Sequence, residues 1–303
     1  MSIGLQKEYS AYGYVAVTIL LWAATPLLVS QLSLRIPVFQ INWIVSAFSL
    51  PVLSVIIIST GRWRTLFSYN KKEITLMLFL GAVGIFPYTS LYYLAFALSP
   101  SDAGSINIIN YSWPLWVIIL SVPVLKEPLT GRKIFGILLS LVGVYLIISG
   151  KELFNLNHSQ GRHFSFAILS ASAGAFFWGL FSVLSKKNTF EPLTSLLMYN
   201  LASFLLFTII RIFFVKPVVP SQEDWLLLII LGGIINVIGY LFWIIALRRG
   251  DTGRIANLIY LTPFTALVYL TVIRGTPINI HQYLGLALIV FGSLVQKKGG
   301  RKI

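Results

Sequence analysis

The chain contains no cysteine and few acids, and both shortages narrow its chemistry. Without thiols there is no disulfide, no thiol nucleophile and no cysteine metal ligand. The nine carboxylates are Glu8, Glu73, Asp102, Glu127, Glu152, Glu191, Glu223, Asp224 and Asp251, and all fall in loops or at the ends of apolar runs. His158, His163 and His281 also lie near run ends. An acid in mid-membrane is the usual proton relay or cation counter-ion. Its absence argues against proton antiport and polycation export. No Lys or Arg sits deep in a run, which argues against phosphorylated or nucleotide-linked anions. No paired acids or His–Ser arrangement points to intramembrane catalysis, so no enzyme, metal or cofactor is expected.

Hydrophobic residues make up 57% of the 303 and charged residues only 11%, with a mean hydropathy of +0.84. Runs of about 20 apolar residues span a bilayer as helices. Ten such runs are present, at 11–30, 38–60, 73–98, 102–125, 130–150, 163–186, 191–214, 223–249, 253–273 and 278–297. Ala23 and Ala24 beside Trp22 make a poor signal cleavage site, so the first run is expected to be retained. The net charge of +14 would fit nucleic acid, but its basic residues lie in loops between runs. There they report orientation, and no nucleic-acid partner is expected. With the N-terminus inside, seventeen of the 23 basic residues fall in inner segments and six in outer ones. Both termini are therefore expected in the cytoplasm of a cell whose inner or plasma membrane holds the protein.

A duplication organises the chain. Residues 101–143 recur as 250–292, at a constant offset of 149. Asp102, Gly104, Ile106, Tyr111, Pro114, Pro128, Gly136 and Gly143 match Asp251, Gly253, Ile255, Tyr260, Pro263, Pro277, Gly285 and Gly292. Each half holds five runs. Five is odd, so the second half crosses the membrane in the opposite sense to the first, as in many secondary transporters. The predicted fold is an all-α polytopic membrane protein, with ten transmembrane helices as two inverted five-helix repeats. The repeats are placed at 1–152 and 153–303, joined around Leu153–His163.

Inside the runs the remaining polar groups are neutral or aromatic. The candidate substrate-binding residues are Trp22, Tyr88, Asn107, Asn110, Tyr111, Trp113, Trp178, Asn236, Tyr240 and Tyr260. Asn107, Asn110 and Pro114 share a helical face and form the candidate first-half cavity wall. Trp and Tyr also gather in interfacial belts, and Asn also bonds between helices. Pro26, Pro87, Pro114 and Pro263 are candidate kink or gating positions. An internal proline removes one donor and frees the carbonyl four residues earlier. That would be the carbonyl of Trp22 for Pro26, of Asn110 for Pro114 and of Ile259 for Pro263. Gly136, Gly143, Gly285 and Gly292 look like close-packing faces, making the fifth and tenth runs supporting or homodimer-forming helices.

The chain resembles the drug/metabolite transporter superfamily, in particular its ten-helix EamA-type exporters. The resemblance is carried by Asn110-Tyr111-Ser112-Trp113-Pro114, Leu125-Lys126-Glu127-Pro128-Leu129 and Gly136 with Gly143, then by Tyr260-Leu261-Thr262-Pro263 and Gly285 with Gly292. Arg274-Gly275-Thr276 stands where the second copy of the Glu127 motif would carry its acid. That acid looks structural, so its loss is expected to leave transport intact. The Tyr-x-Trp-Pro stretch is similar to the subgroup that exports amino acids, aromatic ones included. The resemblance implies a basket of ten helices around a central cavity. It also implies a secondary transporter or facilitator of small neutral or zwitterionic metabolites. The expected partners are a small-molecule substrate and membrane lipid. A multidrug exporter of apolar solutes is the nearest alternative, and a non-transporting scaffold or receptor is the alternative of another class.

Overall fold

Lipid offers no partner for backbone N–H and C=O groups, so a chain of apolar runs has to close its hydrogen bonds within helices. The computed structural model describes residues 3–99, 103–149, 162–274 and 278–295, and no strand occurs among them. In order the helices are α1 (Ile3–Ser33), α2 (Val38–Ser59), α3 (Trp63–Ser68), α4 (Lys71–Leu80), α5 (Phe86–Leu98), α6 (Ala103–Asn110), α7 (Trp113–Leu125) and α8 (Gly131–Ser149). They continue as α9 (Arg162–Lys187), α10 (Pro192–Phe214), α11 (Gln222–Ile229), α12 (Tyr240–Arg249), α13 (Thr252–Leu258), α14 (Thr262–Arg274) and α15 (Ile280–Val295). A π-helical segment, Gly81–Ile85, joins α4 to α5, and a second, Ile230–Gly239, joins α11 to α12. Seven helices among the described residues are long and apolar enough to cross a membrane: Tyr9–Ser33, Val38–Ser59, Lys71–Leu98, Gly131–Ile148, Phe164–Lys187, Pro192–Phe214 and Gln222–Arg249. The fourth and ninth runs are not continuous helices. Tyr111 and Ser112 form a turn between α6 and α7, and Ile259–Leu261 is a 3-10 turn between α13 and α14.

The prolines explain part of this. Pro114 stands in the first turn of α7, where a missing N–H has no helical partner to lose. Pro263 is the second residue of α14. Pro26 lies inside α1, and Pro87 lies inside the continuous Lys71–Leu98 helix, where the π-helical segment gives way to α5. The expectation of a kinked fourth helix is thus replaced by a break with a new helix start. The carbonyl of Ile259, expected to be free, accepts from Thr262 Oγ1 at 2.6 Å.

Helix ends away from the breaks are capped in the ordinary way. Asn70 with Glu73 and Ser221 with Asp224 form capping boxes. Glu191 and Asp251 accept from the N–H groups of Thr194 and Arg254. Lys126, at φ 57°, closes α7 in the left-handed region.

The helices interleave, so that two apolar clusters form and each draws on early and late parts of the chain. Helix α8 packs on α15, α2 on α10, α5 on α9 and α1 on α12. Where α8 crosses α15 the backbones nearly touch. A Cβ on Gly143 would sit 2.5 Å from the Gly285 carbonyl, and one on Gly285 would sit 2.5 Å from that of Gly143. The glycines that suggested helix association therefore meet within one chain. The two π segments are docked alike. Ser49 Oγ bonds its own-helix carbonyl of Val45 and that of Gly232, both at 2.8 Å. Ser203 Oγ bonds Tyr199 O at 3.1 Å and Gly81 O at 3.4 Å. A Cβ on Gly232 would lie 2.6 Å from Val45 O, and one on Gly81 would lie 2.7 Å from the Tyr199 Cα, so only glycine permits either approach.

Polar contacts sort the helix ends into two groups. At one end Arg35 meets Asp224 at 2.7 Å, and Gln40 bonds the backbone of Val218. At the other end Arg62 pairs with Glu191, Arg249 bonds Ser10, and Arg248 holds the carbonyls of Ser185 and Phe190. Glu127, Lys133, Lys186, Asp251 and Thr252 also cluster there. Between the ends, large apolar side chains such as Leu20, Val55, Leu138, Leu205 and Ile209 face outward, as lipid contact requires.

Candidate functional site

A cavity of about 820 Å³, mouth included, lies among α1, α2, α5, the α6–α7 break, α9, the second π segment and the α13–α14 break. Among the described residues its lining contains no charged side chain. Neutral hydrogen-bonding groups come from Thr25, Asn42, Ser46, Thr89, Asn110, Asn236 and Thr262, and aromatic surface from Trp22, Tyr88, Tyr92, Tyr93, Tyr111, Trp113, Trp178 and Tyr240. The contributing parts of α1, α2 and α5 are those nearest the Arg35–Asp224 end, so the cavity is displaced from the Glu127 cluster.

Its floor is aromatic. Trp22 of α1 and Trp178 of α9 approach to 5.6 Å between ring centroids. Trp113 and Trp243 meet edge to face at 5.1 Å, and Trp22 lies 5.8 Å from Trp243. Tyr88 and Tyr240 close on Trp178 at 4.7 and 4.8 Å. Such T-shaped and tilted pairs add to the burial of their area. Trp243 donates to Ser182 Oγ at 3.0 Å, whereas the indole nitrogens of Trp22 and Trp178 have no partner. The Asn110 side chain bonds the Tyr88 hydroxyl, and its Oδ1 is left unpaired. These atoms belong to lining residues but are themselves buried, so in this state they meet neither solvent nor a partner.

Behind the wall a polar bridge ties three helices together. Asn236 Nδ2 donates to Ser49 Oγ at 2.8 Å and to Asn200 Oδ1 at 3.0 Å. Asn200 returns its own Nδ2 to Leu196 O at 3.0 Å. The bridge sets where Asn236 presents itself to the cavity.

Of the candidates picked from the sequence, Trp22, Tyr88, Asn110, Tyr111, Trp113, Trp178, Asn236 and Tyr240 line the cavity, as does Pro26. Asn107 and Tyr260 do not. Asn107 accepts from the Tyr92 hydroxyl at 2.6 Å and orients that ring. Tyr260 is fully buried with its hydroxyl unpaired, and its neighbour Ile259 takes the place on the wall. Pro87, Pro114 and Pro263 stay behind the wall, the last two as helix starts. Sequence reasoning missed Asn42 and Ser46, although an amide at the head of the apolar second run was a visible signal. No group of three or more potential metal ligands occurs among the described residues. Asp102, Pro277, Thr276, most of the Leu153–His163 connection and the basic C-terminal residues lie outside the described residues.

Comparison with known proteins gives this geometry a context. The pattern of the EamA-like transporter family matches twice, at residues 10–149 and 165–296. The aromatic amino acid exporter YddG of Ancylobacter novellus is 28% identical over 224 residues, covering 71% of this chain and 73% of that one. The uncharacterized transporter YyaM of Bacillus subtilis is 25% identical over 240 residues, 75% of this chain and 74% of its own. YoaV, an uncharacterized transporter of the same organism, is 25% identical over 296 residues, 93% of this chain and 90% of its own. A solved crystal structure shares the fold with a TM-score of 0.82 at 24% identity, over 96% of this chain and 97% of that one.

Proposed function

Because this chain belongs to the EamA-like transporter family, and is an integral membrane transporter rather than an enzyme, we propose that it moves small neutral or zwitterionic metabolites outward by alternating access. Aromatic or apolar amino acids are the first candidates. The observation that carries the proposal is the cavity, uncharged and lined by amides, hydroxyls and eight aromatic rings. Neutral donors and acceptors can replace water around a zwitterion, and the rings can pack on an apolar side chain. The name of the Ancylobacter relative agrees with that chemistry. A purely apolar solute would use the rings alone and make no use of the amides and hydroxyls of the wall.

Ten crossings in two inverted repeats, 1–152 and 153–303, belong to the same proposal. It is supported by the double family match and by the two similarly docked π segments. The sorting of helix ends supports it as well. Helix α1 starts at the end where α9 finishes, since Ser10 and Lys186 both lie beside Arg249 and Gly250. The Glu127 end, which carries most of the basic residues, is placed in the cytoplasm with both termini.

Flux of a radiolabelled amino-acid panel into proteoliposomes tests the function. Uptake of one or more aromatic or apolar amino acids above empty liposomes is expected. If no amino acid crosses while apolar dyes do, the zwitterion proposal fails.

A further inference from the structure

Away from the cavity, the short segment α13 and its 3-10 continuation bury three polar atoms without partners. Asn257 is fully buried, and neither Nδ2 nor Oδ1 finds a hydrogen bond. Tyr260, one helical turn on, is also fully buried with an unpaired hydroxyl. An amide with nothing to bond is costly in an apolar interior. Leucine would pack there without that cost, so packing alone does not account for the choice.

The duplication supplies a reason. Tyr260 is the repeat mate of Tyr111, and each stands at the break of its discontinuous helix. Tyr111 lines the cavity, while Tyr260 is fully buried, although Ile259 and Thr262 beside it line that same cavity. When inverted halves exchange conformations, the buried tyrosine takes the role of the one that lines the cavity.

What seals it is visible. Thr252, the first residue of α13, donates to Glu127 Oε1 at 2.7 Å. Lys186 reaches the same Glu127 oxygen at 3.0 Å, Thr252 Oγ1 at 2.6 Å and Gly250 O at 3.2 Å. Lys133 lies between Glu127, at 3.7 Å, and Asp251, at 3.5 Å. These contacts clamp the start of α13 to α9 and to the α7–α8 loop. The repeat position of Glu127 is Thr276, so the opposite end has no matching acid.

We propose that Asn257 and Tyr260 form the polar lining of the substrate site in the opposite-facing state, where they hydrogen-bond the same neutral or zwitterionic substrate, and that the Glu127 clamp keeps this half-site shut. This rests on the alternating-access transport proposed above.

The absence of native cysteine allows a direct test, because a single introduced thiol is the only one present. Asn257→Cys, Tyr260→Cys, Asn110→Cys and the buried control Leu247→Cys are treated with a membrane-impermeant maleimide, in intact cells and in inside-out vesicles. Asn110→Cys should label from outside. Asn257→Cys and Tyr260→Cys should label only from the cytoplasmic face, at least fivefold faster when Glu127→Gln is added, while Asn110→Cys slows. Asn257→Leu should unfold at no lower temperature than the parent yet lose at least tenfold in flux, which a merely structural asparagine would not do. If positions 257 and 260 stay as unreactive as position 247, with and without E127Q, while Asn110→Cys labels and flux persists, the inference falls and transport stands. The same holds if Asn257→Leu transports like the parent. If Asn110→Cys is also silent and no flux is seen, the transport proposal falls and takes this one with it.

Discussion

Asn236→Ala tests the polar bridge that positions the cavity wall. The change removes both amide donations, to Ser49 and to Asn200. Ser49 loses little, because its hydroxyl still donates to Gly232 O and Val45 O. Asn200 loses more. It is fully buried, its Nδ2 is committed to Leu196 O, and its Oδ1 would have no donor left. The cost is therefore dominated by one stranded carbonyl, about 1–3 kcal/mol. For a chain of this size that amounts to a fall in unfolding temperature on the order of 2–10 °C. Removing the stranded group as well, in Asn200→Ala/Asn236→Ala, should recover part of the loss, with a coupling of about 0.5–3 kcal/mol. Purified protein in detergent, followed by thermal unfolding for the parent, both single variants and the double, reads this out. Single-variant losses that simply add in the double would mean that the Asn236–Asn200 bond does not form, and the account of how α2, α10 and the π segment hold the wall would be wrong.

The α8–α15 crossing makes Gly143→Ala and Gly285→Ala destabilising by about 1–3 kcal/mol each, through a Cβ driven into the opposite carbonyl; thermal unfolding of the two variants checks this. Asn110→Ala should cut flux a few-fold to roughly tenfold, the worth of one neutral hydrogen bond of about 0.5–1.5 kcal/mol, with membrane insertion unchanged. Leu138→Ala on the outward face of α8 is the control, and equal flux in the two variants would remove Asn110 from the site. Tags at both termini should be reached only from the cytoplasm, because basic residues divide seventeen to six; a C-terminal tag reached in intact cells would break the odd-number argument for inversion. Substrate should run down its own gradient with no pH gradient imposed, since the cavity lining holds no carboxylate; flux that requires a proton gradient would refute this.

The ten apolar runs, the duplication and the uncharged interior were all present in the sequence. Lipid permits few backbone solutions, so hydropathy and loop charge carry most of the membrane architecture. The pairing of Gly143 with Gly285 was foreshadowed too, because the glycine spacing repeats. Only tertiary structure decided which equivalent residues do equivalent things. Tyr111 and Tyr260 match in sequence, yet one lines the cavity and the other is fully buried, and only the packing around each decides which. The prolines show a second limit. A proline announces that a helix is disturbed, but whether it kinks the helix or starts a new one depends on neighbours. At Pro114 a turn precedes it, and at Pro263 the hydroxyl of Thr262 takes the Ile259 carbonyl. Glu127 is the clearest case. In the chain it is one acid of a loop motif, and its place at the centre of a clamp on α13 comes from Lys133, Lys186, Asp251 and Thr252. Lys133 opens the next helix, but folding brings Lys186, Asp251 and Thr252 from distant parts of the chain, and sequence spacing does not encode such long-range contacts.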